Sequence, residues 1–267
     1  MASLFEIDTA VEHLGDGRFR ASMSTNWWIV RGPNGGYIAA MITAAVKATV
    51  PDRSLRSVTL HYLSPPREGE VDIEVTVERT GRQFAFLSIR MRQLGKLVVT
   101  ALAACSNALP GPRFLARPMP DVRPPDAYQT LQRSDTWPDI PLRRQYEMRW
   151  AVGPVPGTRE PDSTTIGGWI RLGDASGNRP YDERLLVALT DAWVPVVFSR
   201  LEMSNPVPTI DLTIHIRELP RPDDEWFLAV FSTRTLTDGF LEEDSEIWTP
   251  DGRLLAQGRQ LALLIPD

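Results

Sequence analysis

Two spacings of apolar residues alternate along the chain, one typical of helices and one typical of strands. The largely apolar run 36–46, just after Gly35, predicts a helix, and RLLVALTDAWVPVVFS over 184–199 predicts a second. After each helix the period changes to two. The strand-like runs lie at 55–63, 71–79, 84–93 and 96–104 in the first half, and at 208–216, 225–233, 240–248 and 253–264 in the second. The pattern therefore predicts one unit, a helix followed by four strands, written twice.

Short strings and turns align the two copies. Ser57 stands 152 residues before Thr209, and Gly95 stands 157 residues before Gly252. Between the copies the chain is rich in proline, at positions 110, 112, 118, 120, 124, 125, 138 and 141. These features predict an N-terminal domain over 1–107, a proline-rich linker over 108–141 that lies against the surface, and a C-terminal domain over 142–267.

Asp191 is out of place in the second apolar run. Most of its neighbours in 184–199 are apolar around the helical wheel, so the segment is expected inside the fold. A buried carboxylate is unfavourable unless it is paired or hydrogen-bonded. Asp191 therefore needs either partners or a chemical role.

Composition narrows the classes of partner and the compartment. The 267 residues include 29 basic and 34 acidic ones, a net charge of −5, which argues against nucleic acid as a partner. The single cysteine, Cys105, excludes an internal disulfide and favours a reducing compartment. The apolar runs 36–46 and 185–198 are shorter than the roughly 20 residues that span a bilayer, and the acidic N-terminal segment lacks the pattern of a signal peptide. We therefore expect a cytoplasmic protein without membrane helices.

Several strings in order along the chain resemble a known family. They are RGPNGGYIAA (31–40), VTLHYLSPPREGEV (58–71), RTGRQFAF (79–86), WIRL (169–172), LLVALTDAWVP (185–195), PTIDLTIHI (208–216) and TPDGRLLAQGRQ (249–260). With them the chain resembles the thioesterase-like superfamily and is similar to bacterial type II acyl-CoA thioesterases. The resemblance implies an α+β double hotdog, in which two helices lie on the inner side of one extended curved antiparallel sheet. It also implies an acyl-CoA substrate, a role in lipid metabolism and hydrolysis of the thioester to free acid and CoA.

The resemblance also implies a catalytic set of Asp191, Thr209 and Gln260. In the family an aspartate, a threonine and a glutamine at these places hold the attacking water. The chemistry is sound, because a carboxylate can deprotonate a water that two neutral groups keep in one orientation. Gly35 and Gly36, at the start of the first helix, are expected to bind the substrate carbonyl and stabilise the oxyanion through backbone N–H groups.

Each of these residues also has a purely structural interpretation. Asp191 can be a hydrogen-bonded structural carboxylate, and Gly35–Gly36 a tight loop before a helix. By alternation Gln260 shares the small apolar face of its strand, where it needs an internal partner. Thr209 shares the outward phase with Asp211, so either that face opens on the site or the strand begins irregularly.

Two other functions remain open. The stretch LGDASGNRPYDE over 172–183 distantly resembles the active-site string of a hotdog enoyl-CoA hydratase, but Asn178 stands four residues after Asp174 instead of two and no histidine follows. A non-catalytic acyl-CoA-binding protein is the other alternative. No cofactor or metal is expected, because the three histidines lack metal-ligand spacing, and the sequence leaves a homo-oligomer open.

The repeat also predicts one competent site per chain. The aligned counterparts of Thr209 and Gln260 are Ser57 and Ala103, and the first helix contains no acidic residue. The first half therefore lacks both a base and an amide.

Overall fold

One large antiparallel sheet organises the part of the chain that the structure describes. The structure is a computed structural model and describes residues 2–131, 139–155, 158, 160, 162–173, 182–201 and 205–265. Thirteen of the described strands join this sheet, and a short two-stranded hairpin stands apart from it. The hydratase-like stretch falls largely outside the described residues, because 174–181 are not among them.

The strands follow the alternating runs closely. In the first half they are β1 (Glu12–Gly15), β2 (Arg18–Met23), β3 (Trp28–Ile29), β4 (Gly32–Pro33), β5 (Leu55–Tyr62), β6 (Gly69–Thr80), β7 (Phe84–Gln93) and β8 (Lys96–Ser106). In the second half they are β9 (Tyr146–Val152), β10 (Thr165–Leu172), β11 (Thr209–Ile216), β12 (Phe227–Ser232), β13 (Leu236–Thr237), β14 (Phe240–Trp248) and β15 (Leu254–Leu263). All eight predicted strands are confirmed, and β1, β2, β9 and β10 extend the sheet beyond them.

The strand order repeats about the centre of the sheet. It runs β1-β2-β6-β7-β8-β5 in the first half and continues β11-β15-β14-β12-β10-β9 in the second, with β13 paired to β14. The halves join where β5 pairs with β11, and Thr59 faces Thr213 across that junction. The predicted single extended sheet is confirmed.

Matching bulges at the starts of β5 and β11 correct the alignment of the copies. Thr209 pairs with Ala262 and Asp211 with Leu261, so one extra residue lies between them. Leu55, paired with Cys105, precedes the same irregularity in β5. The counterpart of Thr209 is therefore Leu55, and the prediction of Ser57 was wrong because a string match cannot place a bulge.

The described α-helices are α1 (Leu4–Asp8), α2 (Gly35–Thr49) and α3 (Glu183–Leu189). The last two pack together on the buried face of the sheet. Helix α2 packs against β5, β6 and β7, α3 packs against β11 and β15, and the two helices contact each other. Ten of the fifteen residues of α2 are buried, which explains why the helix is apolar around most of its circumference.

The second helix is shorter than the apolar run predicts. Helix α3 ends at Leu189, and the chain turns before a short 3₁₀ helix at Val196–Ser199. Pro195 prevents one continuous helix as far as Ser199, since a helix through it would lose one hydrogen bond and bring the proline ring against the carbonyl of Asp191. The prediction of one helix over 184–199 was therefore wrong, and Asp191 lies in the turn just after α3.

The described part of the proline-rich segment packs on the outer face of the second half. Trp169 Nε1 donates a hydrogen bond to the Arg123 carbonyl at 3.0 Å, and Tyr128 packs beside the buried Trp169–Trp226 cluster. The division of the chain at 107 and 141 stays a prediction. No helix among the described residues is long and apolar enough to cross a membrane.

Candidate active site

Asp191 lies where the end of α3 meets the beginning of α2. Its N–H donates to the Ala188 carbonyl at 3.3 Å, so the turn closes directly on the last residues of the helix. Thr190, just before it, donates its hydroxyl to the Val187 carbonyl at 2.8 Å. Asp191 itself is partly exposed, whereas its neighbours Thr190 and Ala192 are buried. The turn therefore presents one carboxylate at the rim of an otherwise apolar segment.

The first residues of α2 hold this carboxylate. Asp191 Oδ2 accepts a hydrogen bond from Gly36 N at 2.8 Å and one from Asn34 Nδ2 at 2.9 Å. Asn34 also donates to the Asp191 carbonyl at 2.8 Å and, as the N-cap of α2, accepts from Tyr37 N. The positive end of the α2 dipole favours a negative charge at this place. Both of these hydrogen bonds to the side chain therefore end on Oδ2 and not on Oδ1.

The absence of a side chain at Gly36 permits this contact. A Cβ at Gly36 would lie 2.6 Å from the Ala188 carbonyl oxygen and 3.1 Å from Asp191 Cβ. A Cβ at Gly35 would lie 3.0 Å from Asp191 Oδ2 and 3.1 Å from the Tyr62 ring. Since the Gly36 N–H is bonded to Asp191, it does not point at a substrate carbonyl. The oxyanion role expected for Gly36 does not fit this arrangement, and the glycines support the aspartate instead.

Gln260 and Thr209 form a hydrogen-bonded pair beside Asp191. Gln260 is 7% exposed and lies on the inward phase of β15, as alternation indicates. Thr209 donates its hydroxyl to Gln260 Oε1 at 2.6 Å. The bulge at Ile210 shifts the phase of β11 and brings Thr209 to the inner face with Leu212. Of the two expectations for Thr209, the irregular start of the strand is the one observed.

A second carboxylate, Glu243, lies behind this pair. Glu243 is 3% exposed and lies opposite Gln260 in the β14–β15 ladder. Its Oε1 accepts from Gln260 Nε2 at 3.0 Å, and its Oε2 accepts from Val196 N at 2.6 Å. Each oxygen of this buried carboxylate therefore has an N–H donor.

The surroundings raise the pKa of both carboxyl groups. Desolvation raises the pKa of Asp191 to about 6, while hydrogen bonds from Gly36, Asn34, Gly35 and Gln260 act in the opposite direction. Desolvation, together with the charge of Asp191, raises the pKa of Glu243 to about 8 against the hydrogen bond from Val196. An aspartate with a pKa near 6 is ionised at neutral pH and still basic enough to accept a proton from water.

Aromatic side chains form a wall next to the turn. The Trp193 ring, two residues after Asp191, lies 5.1 Å from the Trp150 ring and 6.3 Å from the Phe231 ring, measured between centroids. Tyr62 donates its hydroxyl to the Gly35 carbonyl at 2.8 Å, and desolvation raises its pKa well above the usual value. The site thus combines the Asp191 carboxylate, with Glu243 behind it, with aromatic and neutral polar groups.

Comparison with known proteins assigns this arrangement to a family. The sequence model of the acyl-CoA thioesterase C-terminal domain matches residues 125–264, and that of the acyl-CoA thioesterase N-terminal domain matches residues 24–106. The chain belongs to the acyl-CoA thioesterase family. It is accordingly a thioester hydrolase. An uncharacterized protein of Mycobacterium tuberculosis (strain H37Rv) is 21% identical to this thioesterase over 270 residues, which cover 92% of this chain and 90% of the relative.

Solved structures agree on the fold of this thioesterase. A hotdog-fold protein of unknown function from Alicyclobacillus acidocaldarius superposes with a TM-score of 0.89 at 25% identity, covering 100% of both chains. Acyl-CoA thioesterase II TesB2 from Mycobacterium marinum superposes with a TM-score of 0.78 at 20% identity, covering 98% of both chains. The predicted α+β double hotdog is confirmed.

The structure of this thioesterase brings the predicted site residues together and adds others. Asp191, Thr209, Gln260, Gly35 and Gly36 all lie around the junction of α2 and α3 with the sheet. Sequence reasoning missed the contacts of Asn34, Tyr62 and Glu243. Glu243 had a detectable signal, since it shares the inward phase of β14 with Leu241 and Ile247. No group of three or more His, Cys, Asp or Glu within the described ranges could hold a metal ion.

Proposed function

We propose that this protein hydrolyses acyl-CoA to a free acid and CoA, with Asp191 as the general base. Thr209 and Gln260 orient the attacking water. The reducing cytoplasm suits a chain whose only cysteine, Cys105, is free and buried. The reaction removes acyl groups from their activated form and so belongs to lipid metabolism.

The arrangement of Asp191 carries this proposal. Oδ2 is anchored by Asn34 and Gly36, so the carboxylate is fixed in orientation. The Thr209–Gln260 pair lies on the adjoining strands β11 and β15, and Gln260 lowers the pKa of the Asp191 carboxyl group as a nearby hydrogen-bond donor does. A fixed carboxylate beside a hydroxyl and an amide is what a single bound water needs in order to be aligned before attack. The aromatic wall at Trp193 supplies apolar surface of the kind that an acyl chain contacts.

The proposed reaction passes one proton through Asp191. The carboxylate accepts a proton from the water as the water oxygen bonds to the thioester carbon, which produces a tetrahedral intermediate. The intermediate then collapses, the carbon–sulfur bond breaks, and CoA leaves as the thiolate, which takes up the proton. Thr209 donates its hydrogen to Gln260, so the lone pairs of its oxygen are available to accept from the water. Asp191 is restored at the end of each cycle.

A panel of acyl-CoA esters tests the function. Short, long, branched and aromatic esters are incubated with the protein, and released CoA is measured with a thiol reagent. We expect CoA release from at least one class, at a rate proportional to the amount of protein. Loss of enoyl absorbance without CoA release would show a hydratase. Tight binding of esters without release would show an acyl-CoA-binding protein.

A further inference from the structure

We propose that Glu243 is a positioning residue that fixes the orientation of the Gln260 side-chain amide and, through it, the Thr209 hydroxyl. This inference rests on the proposed function, because Gln260 and Thr209 are there the groups that orient the water. It adds to the site a buried carboxylate that does not touch the reacting atoms.

The orientation follows from the hydrogen-bonding capacity of each group. Both oxygens of the Glu243 carboxyl group accept hydrogen bonds from N–H donors, whereas a side-chain amide donates at nitrogen and accepts at oxygen. Glu243 Oε1 lies 3.0 Å from Gln260 Nε2, so the nitrogen end of the amide faces β14. The oxygen end must then face Thr209, whose hydroxyl lies 2.6 Å from Gln260 Oε1. The opposite orientation would place the amide oxygen against Glu243.

Asp191 favours the same orientation. The Gln260 side chain lowers the pKa of the Asp191 carboxyl group, as a nearby hydrogen-bond donor does. Gln260 thus has two carboxyl groups near it, and both favour the donor end of its amide. Thr209 is left as a donor toward Gln260, and its oxygen is free to accept from a water.

Glu243 is itself held firmly. Its Oε2 accepts from Val196 N at 2.6 Å, in the 3₁₀ helix that follows the Asp191 turn. It is 3% exposed, so water does not compete for these contacts. The same carboxylate therefore ties the segment after Asp191 to the strand that neighbours Gln260.

The first half of the sheet has no counterpart of the Glu243 carboxylate and no counterpart of the Gln260 amide. Leu87 lies opposite Ala103 in the β7–β8 ladder, as Glu243 lies opposite Gln260 in the β14–β15 ladder. A buried carboxylate at the position of Leu87 would face a methyl group and have nothing to accept from. The pairing of Glu243 with Gln260 in one half, and of Leu87 with Ala103 in the other, fits a carboxylate that serves the amide.

The variant Glu243→Gln tests the orientation directly. The new side-chain amide has one accepting oxygen, whereas Val196 N–H and Gln260 Nε2 both need an acceptor. If the oxygen accepts from Val196 N–H, the new NH₂ group faces Gln260. That contact favours a Gln260 amide flipped to present its oxygen. We expect kcat for CoA release to fall about tenfold or more, with KM changed less than about threefold, because the flipped amide no longer holds Thr209 as a donor. Circular dichroism establishes that the variant is folded.

A double-mutant cycle separates positioning from general damage. In a Gln260→Ala background, adding Glu243→Gln should change kcat less than about twofold, because no amide remains to be oriented. Glu183→Gln is the matched control, since Glu183 is 2% exposed and also accepts from a backbone N–H, that of Leu55 at 3.2 Å. We expect Glu183→Gln to keep kcat within about twofold. A folded Glu243→Gln enzyme with wild-type kcat, or equal losses in both backgrounds, would overturn the proposal.

A measurement without turnover keeps this inference separate from the proposed function. In protein labelled with ¹⁵N-glutamine, the signals lost in Gln260→Ala identify the Gln260 side-chain amide. We expect those signals to shift clearly in Glu243→Gln and to stay in place in Glu183→Gln. Unshifted signals in Glu243→Gln would refute the contact, whatever the activity. If the signals shift but Gln260→Ala leaves kcat unchanged, the water-orienting role of Gln260 fails while Glu243 still orients the amide.

Discussion

The two halves of the sheet share a backbone plan, yet the places that correspond to the candidate site carry different chemistry. Helices α2 and α3 both begin after a polar N-cap, Asn34 and Asp182. Nine residues after each N-cap stand Thr43 and Asp191. Thr43 donates its hydroxyl to the Ala39 carbonyl within its own helix, so it leaves no polar group for a substrate. The second half instead breaks its helix before this position and presents a carboxylate.

The strands repeat the same contrast. Leu55 precedes the bulge of β5 where Thr209 precedes the bulge of β11. Ala103 faces inward on β8 where Gln260 faces inward on β15. The bulge is thus common to both halves and does not by itself make a site. The side chains that the backbone presents decide which half has the chemistry.

One carboxylate of the second half lies against the helix of the first half. Glu183, the first residue of α3, is 2% exposed and lies 3.4 Å from Lys47 Nζ of α2. Its charge is therefore balanced by a cation. The hydrogen-bond partners of Asp191 named above, Asn34 and Gly36 among them, are neutral. A carboxylate held by neutral donors keeps its charge available as a base, whereas an ion-paired one serves stability.

Removing the Asp191 carboxylate should produce the largest effect. Asp191→Asn keeps the volume and an acceptor for Gly36 N–H but removes the base, so we expect kcat for CoA release to fall by about two orders of magnitude or more in a folded protein. Thr43→Ser, which keeps the hydroxyl at the corresponding place in α2, is the control and should stay within about twofold. Near wild-type turnover by Asp191→Asn would refute the role of Asp191.

The pH profile should follow the same carboxylate. Since the base must be ionised and burial raises the pKa of Asp191 to about 6, kcat/KM should fall as pH is lowered through about 6 and then drop about tenfold for each further pH unit. The rate is therefore lost on the acid side. The Glu183→Gln enzyme should show the same acid limb, because Glu183 is paired with Lys47. An acid limb that moves with Glu183→Gln would make Glu183 the base instead of Asp191.

The sequence predicts the strands better than it predicts the site. Alternation located all eight predicted strands and put Gln260 on the inner face, because side-chain direction in a strand depends only on local period. It failed for Thr209, since a bulge shifts that period by one residue and depends on the pairing with β15. The apolar composition of 184–199 also predicted a helix through Pro195, although proline has no N–H to donate to the helix.

Contacts between segments that are distant in the chain could not be predicted from the sequence. The bonds from Asn34 and Gly36 to Asp191 join residues 157 and 155 positions apart. Nothing local indicates that the start of α2 meets the end of α3. The bond of the Gly36 N–H to Asp191 was missed for the same reason, since a helix N-terminus taken alone suggests an oxyanion site. The ion pair of Lys47 with Glu183 likewise depends on how the helices cross.

The ion pair between α2 and α3 predicts an effect on stability without an effect on catalysis. Lys47→Met leaves Glu183 buried without its cation, and we expect the free energy of unfolding to fall by about 2 kcal/mol, less than for a fully buried pair because the Lys47 side chain is 31% exposed. Urea unfolding measures it. Adding Glu183→Met should recover much of the loss, since two apolar side chains of similar volume can replace a buried pair. Both variants should keep kcat within about twofold, and a parallel loss of kcat would assign the pair to catalysis.

The smallest effect, a factor of two, decides whether the repeat supports one site or two. Thr43, Leu55 and Ala103 offer the first half no base, hydroxyl or amide directed at a substrate, and the Glu183 carboxylate there is ion-paired. A tight, non-hydrolysable thioester analogue, titrated into enzyme well above its dissociation constant, should therefore abolish CoA release at about one equivalent per chain. Saturation at two equivalents, or residual turnover of Asp191→Asn that disappears on adding Glu183→Gln, would show that the first half also has a working site.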